Sequence, residues 1–411
     1  MLFGLLALVL TACVALVLIV RFTLAPAADE WSARVALGPV GFDASVPSLI
    51  RLVTSEWFAP QLDGHSIDTR YGTVHFAWRP GANALELRCA PCSATVPALG
   101  AQPVRVDQLT ATLRRDGNAL DGALDAVPVS GSDAALHGRW DAGLTSRALR
   151  LDIDLQEAPI ALWYAMLAPT LPELQRARIG GTLAMHGRVT LPAGTLVLQP
   201  PRVRQFTVEG LDTEAMIGAR GDCGAPSRLG KDSWLARAVV AAEDPRFFTR
   251  SGDDPAELAA AIDGNPKTGQ TGRSGGTLTQ QLARRRVTGS DRPVERQLRE
   301  LLYAVDMEQT LGKARILQLY LDTAPWGDGL CGAEAAARHY FKRSALRLEP
   351  AQAVWLAAML DNPQAAAETW RRDGGIDAAR VRWVAEGVRG ITRPQREALL
   401  RSVAAAKFAP P

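Results

Sequence analysis

The chain is predicted to be α+β, on three observations. Leu2 to Val20 is an apolar run without a charge, closed by Arg21, long enough to cross a bilayer as a helix. From about Trp31 to Pro201 apolar and polar residues alternate with a period of two, as they do in half-buried antiparallel strands. Near Leu211 the period becomes helical and stays so. The divisions predicted are a transmembrane anchor over 1–24, a strand-rich domain over 30–205, an all-helical domain over 211–390, and a C-terminal helix and tail over 391–411.

The first element reads as an uncleaved anchor, because a cleaved signal peptide usually has a basic leader and a shorter apolar core. Leu10-Thr11-Ala12-Cys13 has the look of a lipoprotein cleavage box, but seven more apolar residues follow the cysteine. In RALRLDIDLQ, Leu149, Leu151, Ile153 and Leu155 fall on one face, and Arg150, Asp152 and Asp154 on the other. GTVHFAW, ALELRC, LTATL and GTLAMHGRVTL alternate in the same way, between Gly, Pro, Asn and Asp turn signals. A short helical insert is expected near APIALWYAML. No residue of this half carries recognisable chemistry, so it reads as a spacer or docking module.

In the second half, DSWLARAVVAAED is helical behind an Asp232/Ser233 cap and is stopped by Pro245. DRPVERQLRELLYAVDME has Pro293 in its first turn and a core stripe of Val294, Leu298, Leu301, Leu302 and Val305. Arg296 and Glu300 are one turn apart and off that stripe. KARILQLYLD, GAEAAARHYF, PAQAVWLAAML ending before Pro363, and AARVRWVAEGV follow, and then a terminal helix capped by Thr392.

Net charge is only +3, and the five lysines, Lys231, Lys267, Lys313, Lys342 and Lys407, all lie in the second half. Nothing here points to nucleic acid. Besides Cys13, the cysteines are Cys89 and Cys92, spaced CAPC, with Cys223 and Cys331 far apart. An exported chain meets an oxidising compartment, so Cys89 and Cys92 are expected to bridge locally. Cys223 and Cys331 are left as either a second bridge or two buried thiols. No histidine pairs with Cys or Asp at ligand spacing, and no structural metal is expected.

The densest chemistry lies in SGGTLTQQLARRR, Ser274 to Arg286, between AAEDPRFF with Glu243 and Asp244 and RPVERQLRELLYAVDME with Glu300. Small residues leading into a helix let backbone N–H groups approach an anion, and arginines add charge-assisted forks. Two carboxylates about such a cradle suggest transfer chemistry on a phosphorylated substrate.

These residues resemble the glycosyltransferase family 51 domain, the peptidoglycan glycosyltransferase module, from about Trp234 to Trp383, in its monofunctional biosynthetic form. Glu243-Asp244 with Phe247, Gly252 and Asp254 fits the first motif, ED..F..H.G.D; RSGGTLTQQLAR fits the second; Arg296 and Glu300 fit the third, RK..E. ILQLYLD, WGDGLCGAEAAARHYFKRSALRL and LAAMLDNP continue the pattern. The resemblance implies an all-helical, lysozyme-like fold on a periplasmic chain held in the bacterial inner membrane. It also implies polymerisation of lipid II, with inversion and release of undecaprenyl pyrophosphate. Glu243 would be the general base on the acceptor hydroxyl, and Glu300 would orient a cationic cluster and assist departure. Asp244, Phe247, Arg273, Thr277, Gln280, Gln281, Arg284, Arg292 and Arg296 would bind substrate. Placed at a helix C-terminus beside Asp244, Glu243 is expected to feel negative potential that raises its pKa. No obligate cofactor is implied, and a divalent cation is left open. The partners implied are lipid II, the growing glycan strand, the inner membrane and other cell-wall synthases. In the first half, GGTLAMHGRVTLPAG resembles the strand-rich periplasmic modules of AsmA-like proteins.

This chain has Arg250 where the family usually has His, Gly276 for Ser, Arg285 for Asn, Gln297 for Lys and Asp322 for Asn. Losing a buried polar contact at Gly276 or Gln297 costs about 1–3 kcal/mol each. A catalytically weak relative, acting as a membrane-anchored scaffold or lipid-binding protein, is the alternative. A muramidase on a related scaffold would not require the RRR run. No lysine stands three residues after a serine, so the acyl-transfer serine motif of a transpeptidase is absent and the chain reads as monofunctional.

Overall fold

The computed structural model describes residues 24–37, 40–95, 103–129, 134–218, 223–250, 276–286 and 293–410. The expected anchor, Arg273, Arg292 and the segment between the first two motifs lie outside these. Among the described residues, no helix is long and apolar enough to cross a membrane. The chain divides into two compact units, one of Met1–Pro169 with Thr182–Arg202, the other of Thr170–Gly181 with Val203–Pro411.

The first unit is strand-rich, as the alternation predicts. β1 (Ser32–Leu37) and β2 (Val40–Ser45) pair antiparallel, and the Ser45 hydroxyl accepts from Ser48 N to cap α1 (Val46–Val53). Then come β3 (Ser66–Thr69), β4 (Gly72–Arg79), β5 (Ala84–Cys89), β6 (Cys92–Ala94), β7 (Val104–Asp116), β8 (Ala119–Pro128), β9 (Leu136–Leu144) and β10 (Leu149–Pro159). After the expected helical insert, α2 (Ile160–Leu167), follow β11 (Arg178–Leu191) and β12 (Thr195–Leu198). The sheet runs β12-β11-β10-β9-β8-β7-β5-β4-β3, with β6 also on β7. Its neighbours pair antiparallel, and near-sequential order keeps the connections short. Leu120, Ala142 and Leu144 form a core with Ile50, Leu149 and Leu151, so the apolar face of RALRLDIDLQ packs inward. Cys89 and Cys92 are joined, their Cα atoms 5.5 Å apart.

The second unit is mainly helical. Its early segments are a short 3₁₀ turn at Pro172–Gln175, β13 (Arg202–Glu209) and α3 (Thr213–Gly218). There follow α4 (Trp234–Glu243), α5 (Leu278–Arg286), α6 (Pro293–Thr310), α7 (Gly312–Thr323) and α8 (Ala333–Phe341). α9 (Pro350–Met359), α10 (Pro363–Asp373), α11 (Ala378–Gly387) and α12 (Arg393–Ala405) complete it. α9 is buried on every face, as expected of an apolar helix at the centre of a bundle, with α4, α11 and α12 packed on it. The caps read from the sequence form: Ser233 accepts from Ala236 N, and Thr392 makes a reciprocal capping box with Gln395.

Two differences from the sequence reading have physical causes. Pro363 ends one helical pattern but also opens α10, at the first-turn position that proline tolerates, behind an Asn362 cap. Cys223 and Cys331 are bridged with Cα atoms 5.0 Å apart, which settles the open alternative in favour of the bond. This bridge and the bonds from Ser227 N and Oγ to Asp322 Oδ1, 2.8 and 2.7 Å, tie the approach to α4 onto the end of α7.

Candidate active site

Glu243 is the last residue of α4, a helix built of small and apolar residues that bury it closely. A Cβ added at Gly387 would come 3.2 Å from the Ala241 methyl, so glycine in α11 allows that helix to approach α4. Pro245 prevents α4 from continuing, and Glu243 is left 2% exposed at its end. The carboxylate Oε2 accepts from Gln281 Nε2 at 3.0 Å, and Gln281 Oε1 accepts in turn from the Tyr320 hydroxyl at 2.9 Å. Because the amide accepts on one side and donates on the other, flipping it would lose both bonds. Burial, and next the charge of Glu243, pushes the Tyr320 hydroxyl well above its ordinary pKa, which keeps it protonated and donating.

Arg380, on α11, lies on the other side of the same carboxylate. Its Nη2 is 3.7 Å from Glu243 Oε1 and donates to the Ala242 carbonyl at 3.1 Å, while its guanidinium stacks on Trp383, 4.5 Å from the ring centre. The sequence reading places only negative neighbours about Glu243; here a cation also stands beside it. Arg380 was passed over because AARVRWVAEGV shows a core pattern and no site signal.

Asp244 is fully buried and serves α5. Its Oδ2 accepts from Leu278 N at 3.3 Å and lies 3.2 Å from Arg250 Nη2. Thr277 N donates to Gln280 Oε1 at 2.9 Å, and Gln280 N donates to Thr277 Oγ1 at 3.2 Å, forming a capping box. At the described part of this helix entry, these three N–H groups donate to the protein's own acceptors. Gly276 precedes them at φ +104°, a backbone state that suits glycine.

A buried ionic network fixes the turn after Asp244. Arg250, its side chain 4% exposed, also bonds Glu308 Oε1 at 3.0 Å, and Thr279 Oγ1 donates to that same atom at 2.6 Å. Lys313 Nζ donates to the carbonyls of Phe247, at 2.6 Å, and Arg250. Burial draws the Lys313 ammonium below its ordinary pKa, and Glu308 opposes that shift. Phe247 is fully buried, with Arg250 and Lys313 over its ring. Asp244, Phe247, Thr277 and Gln280, expected at the substrate, are thus occupied in building the frame around Glu243.

Glu300, on α6, makes a second centre. Arg284 Nε and Nη2 each donate to one of its oxygens at 2.9 Å, a bidentate fork, and Arg296 Nε lies 3.7 Å from Oε1. The bond to Glu300 raises the Arg284 pKa further. The carboxylate is 6% exposed, against 44% and 43% for the two guanidinium side chains, so the cluster turns net positive charge to solvent from a buried anionic anchor. Such a centre suits a phosphorylated ligand.

Most of the substituted positions are absorbed locally: Arg250 and Asp322 by the bonds above, Gly276 by its φ, and Arg285 by stacking 4.3 Å over the Tyr320 ring. Among the described residues, Gln297 Oε1 is buried with no hydrogen-bond partner, as are Arg250 Nε and Arg285 Nη1. Among the described residues, no group of His, Cys, Asp and Glu is placed to hold a metal ion.

Residues 231–388 match the family model described as Transglycosylase. Three similar proteins are each described as a biosynthetic peptidoglycan transglycosylase. That of Nitrosomonas europaea is 46% identical over 132 residues, covering 32% of this chain and 54% of the relative. That of Thiobacillus denitrificans is 44% identical over 130 residues, covering 32% and 56%. That of Chromobacterium violaceum is 43% identical over 130 residues, covering 32% and 57%. The chain spans about half the length of the curated relatives it matches.

Proposed function

We propose, from the transglycosylase-family region at residues 231–388, that the protein is a peptidoglycan glycosyltransferase that polymerises lipid II into glycan strands. The observation that carries this reading is the buried Glu243 carboxylate, braced by Gln281, Tyr320 and Arg380 in the same helical unit as the Glu300–Arg284–Arg296 cluster. In the reaction, Glu243 takes the proton of the acceptor's 4-hydroxyl while that oxygen forms a bond to the donor's anomeric carbon with inversion. The bond from that carbon to the pyrophosphate oxygen breaks, and the electron pair leaves with undecaprenyl pyrophosphate. Arg284 and Arg296, held by Glu300, face the charge that develops there, and Arg292 joins them in the sequence pattern.

The two disulfides suit an oxidising compartment, and the apolar run Leu2–Val20 suits a single-pass anchor. Together they support a periplasmic enzyme at the bacterial inner membrane. The Gln297 oxygen, buried with no hydrogen-bond partner among the described residues, favours the catalytically weak scaffold. Labelled lipid II given to the purified wild type and to Glu243→Gln separates the two. Polymer from the wild type alone supports the enzyme; no polymer from either supports the scaffold.

A further inference from the structure

α6 carries Arg296 and Glu300 on one face and a core stripe on another. A third stripe, Glu295, Arg299, Tyr303, Asp306 and Thr310, repeats at helical spacing, and it is neither apolar nor left to solvent: Glu295, Tyr303 and Asp306 are buried. Its partners come from outside the span that matches the transglycosylase family. Thr170 Oγ1 donates to Glu295. Glu173, 1% exposed, accepts from Arg299 Nε at 2.8 Å and from the Tyr303 hydroxyl at 3.1 Å. Arg176 donates to the Tyr303 oxygen at 3.1 Å. Thr213 Oγ1 donates to Asp306 Oδ2 at 2.6 Å and lies 3.1 Å from Thr310 Oγ1. On the edge of the same stripe, Gln309 accepts from Val208 N and donates to the Phe206 carbonyl, both at 3.3 Å.

We propose that the segments Thr170–Gly181 and Val203–Thr213 are a positioning clamp for α6, with Glu173 its central positioning residue, and that they hold Arg296 and Glu300 in register for the leaving pyrophosphate. The proposal rests on the functional reading above for what α6 does, but not for how α6 is held. The chemistry gives the clamp its force. A buried carboxylate between a guanidinium and a phenol fixes rotation and advance of the helix together, and its removal takes from Arg299 the carboxylate 2.8 Å from its Nε. Arg296 and Glu300 lie within one turn of Arg299, so a shift of α6 by about 1 Å moves the cluster by as much, enough for about a hundredfold in rate.

The test uses the full chain with Glu173→Ala, Glu173→Gln and Thr213→Val. It reads kcat and KM for lipid II polymerisation per folded molecule, and hydrogen–deuterium exchange of the α6 amides. Glu173→Ala is expected to lower kcat between about ten- and a hundredfold, to change KM less, and to raise exchange over residues 296–306. Glu173→Gln, which keeps an acceptor oxygen, should recover most of both. A role in stability alone would lower the folded fraction and leave kcat per folded molecule unchanged, which overturns the proposal. If Glu173→Ala does not fold, Thr213→Val, which removes the donor to Asp306, is read in its place, and wild-type kcat and exchange there overturn it. If the wild type makes no polymer, the functional reading has failed and exchange decides the clamp, with unchanged α6 protection in Glu173→Ala counting against it.

Discussion

At the scale of single residues, the site is a problem of orienting one buried carboxylate. Glu243 has an amide and a phenol behind one oxygen and a guanidinium 3.7 Å from the other, so its direction is set before any substrate arrives. Arg380→Gln removes the cation and keeps an N–H donor on a shorter side chain. A charge-assisted contact of this kind is worth about 1.5–3 kcal/mol, so kcat should fall about ten- to a hundredfold with little change in KM. An unchanged kcat would show that Arg380 only packs against Trp383. Gly276 and Gln297, both departures from the family pattern, separate at this scale. A Cβ at Gly276 would lie 2.6 Å from Gln280 Oε1 on a backbone of positive φ, so Gly276→Ser should destabilise the helical unit by about 1–3 kcal/mol in a denaturant titration. Gln297→Lys removes a carbonyl oxygen that has no hydrogen-bond partner among the described residues and adds a cation to α6, and should raise turnover. Loss of turnover in Gln297→Lys would mean the amide has a partner in the complex.

At the scale of elements, what the sequence made legible follows from periodicity and caps. α4, α6, α7, α8, α9, α11 and α12 were all readable because an apolar stripe, a capping serine or threonine, or a first-turn proline marks each of them. α10 is not: Pro363 reads as a terminator of the helix before it, while Asn362 before Pro363 is equally a start signal, and Trp370 packs that helix against Tyr340. The polar stripe of α6 was also illegible, since Glu295, Arg299 and Tyr303 look like a solvated face until partners distant in sequence are known. The same holds for α5, whose glycine-to-helix entry has the composition of an anion cradle but is capped by Asp244 from a distant turn. The Cys223–Cys331 bridge makes a testable element of its own. It closes a long loop, at a sequence separation of 108, and Cys223→Ala with Cys331→Ala should cost about 2–5 kcal/mol in thermal or chemical unfolding. A double variant as stable as the wild type would show that the Ser227–Asp322 bonds suffice.

At the scale of the whole molecule, the span that matches the family is smaller than the unit it belongs to. Residues 231–388 contain both carboxylate centres, but the compact helical unit also takes in Thr170–Gly181 and Val203–Gly230. A fragment of residues 231–411 exposes Tyr303 and Asp306 and leaves Arg299 without Glu173, so it should melt less cooperatively than the full chain. A fragment melting like the full chain would make the early segments dispensable. The central claim is a division of labour between Glu243, which moves a proton, and the Glu300 cluster, which holds charge. It is tested most directly by measuring lipid II affinity and chain growth side by side for Glu243→Gln and Arg284→Ala. The account predicts that Glu243→Gln binds within about threefold of the wild type yet elongates at least about a hundredfold more slowly, whereas Arg284→Ala loses both together. Chain growth at the wild-type rate in Glu243→Gln, or a loss of affinity there as large as in Arg284→Ala, would contradict it.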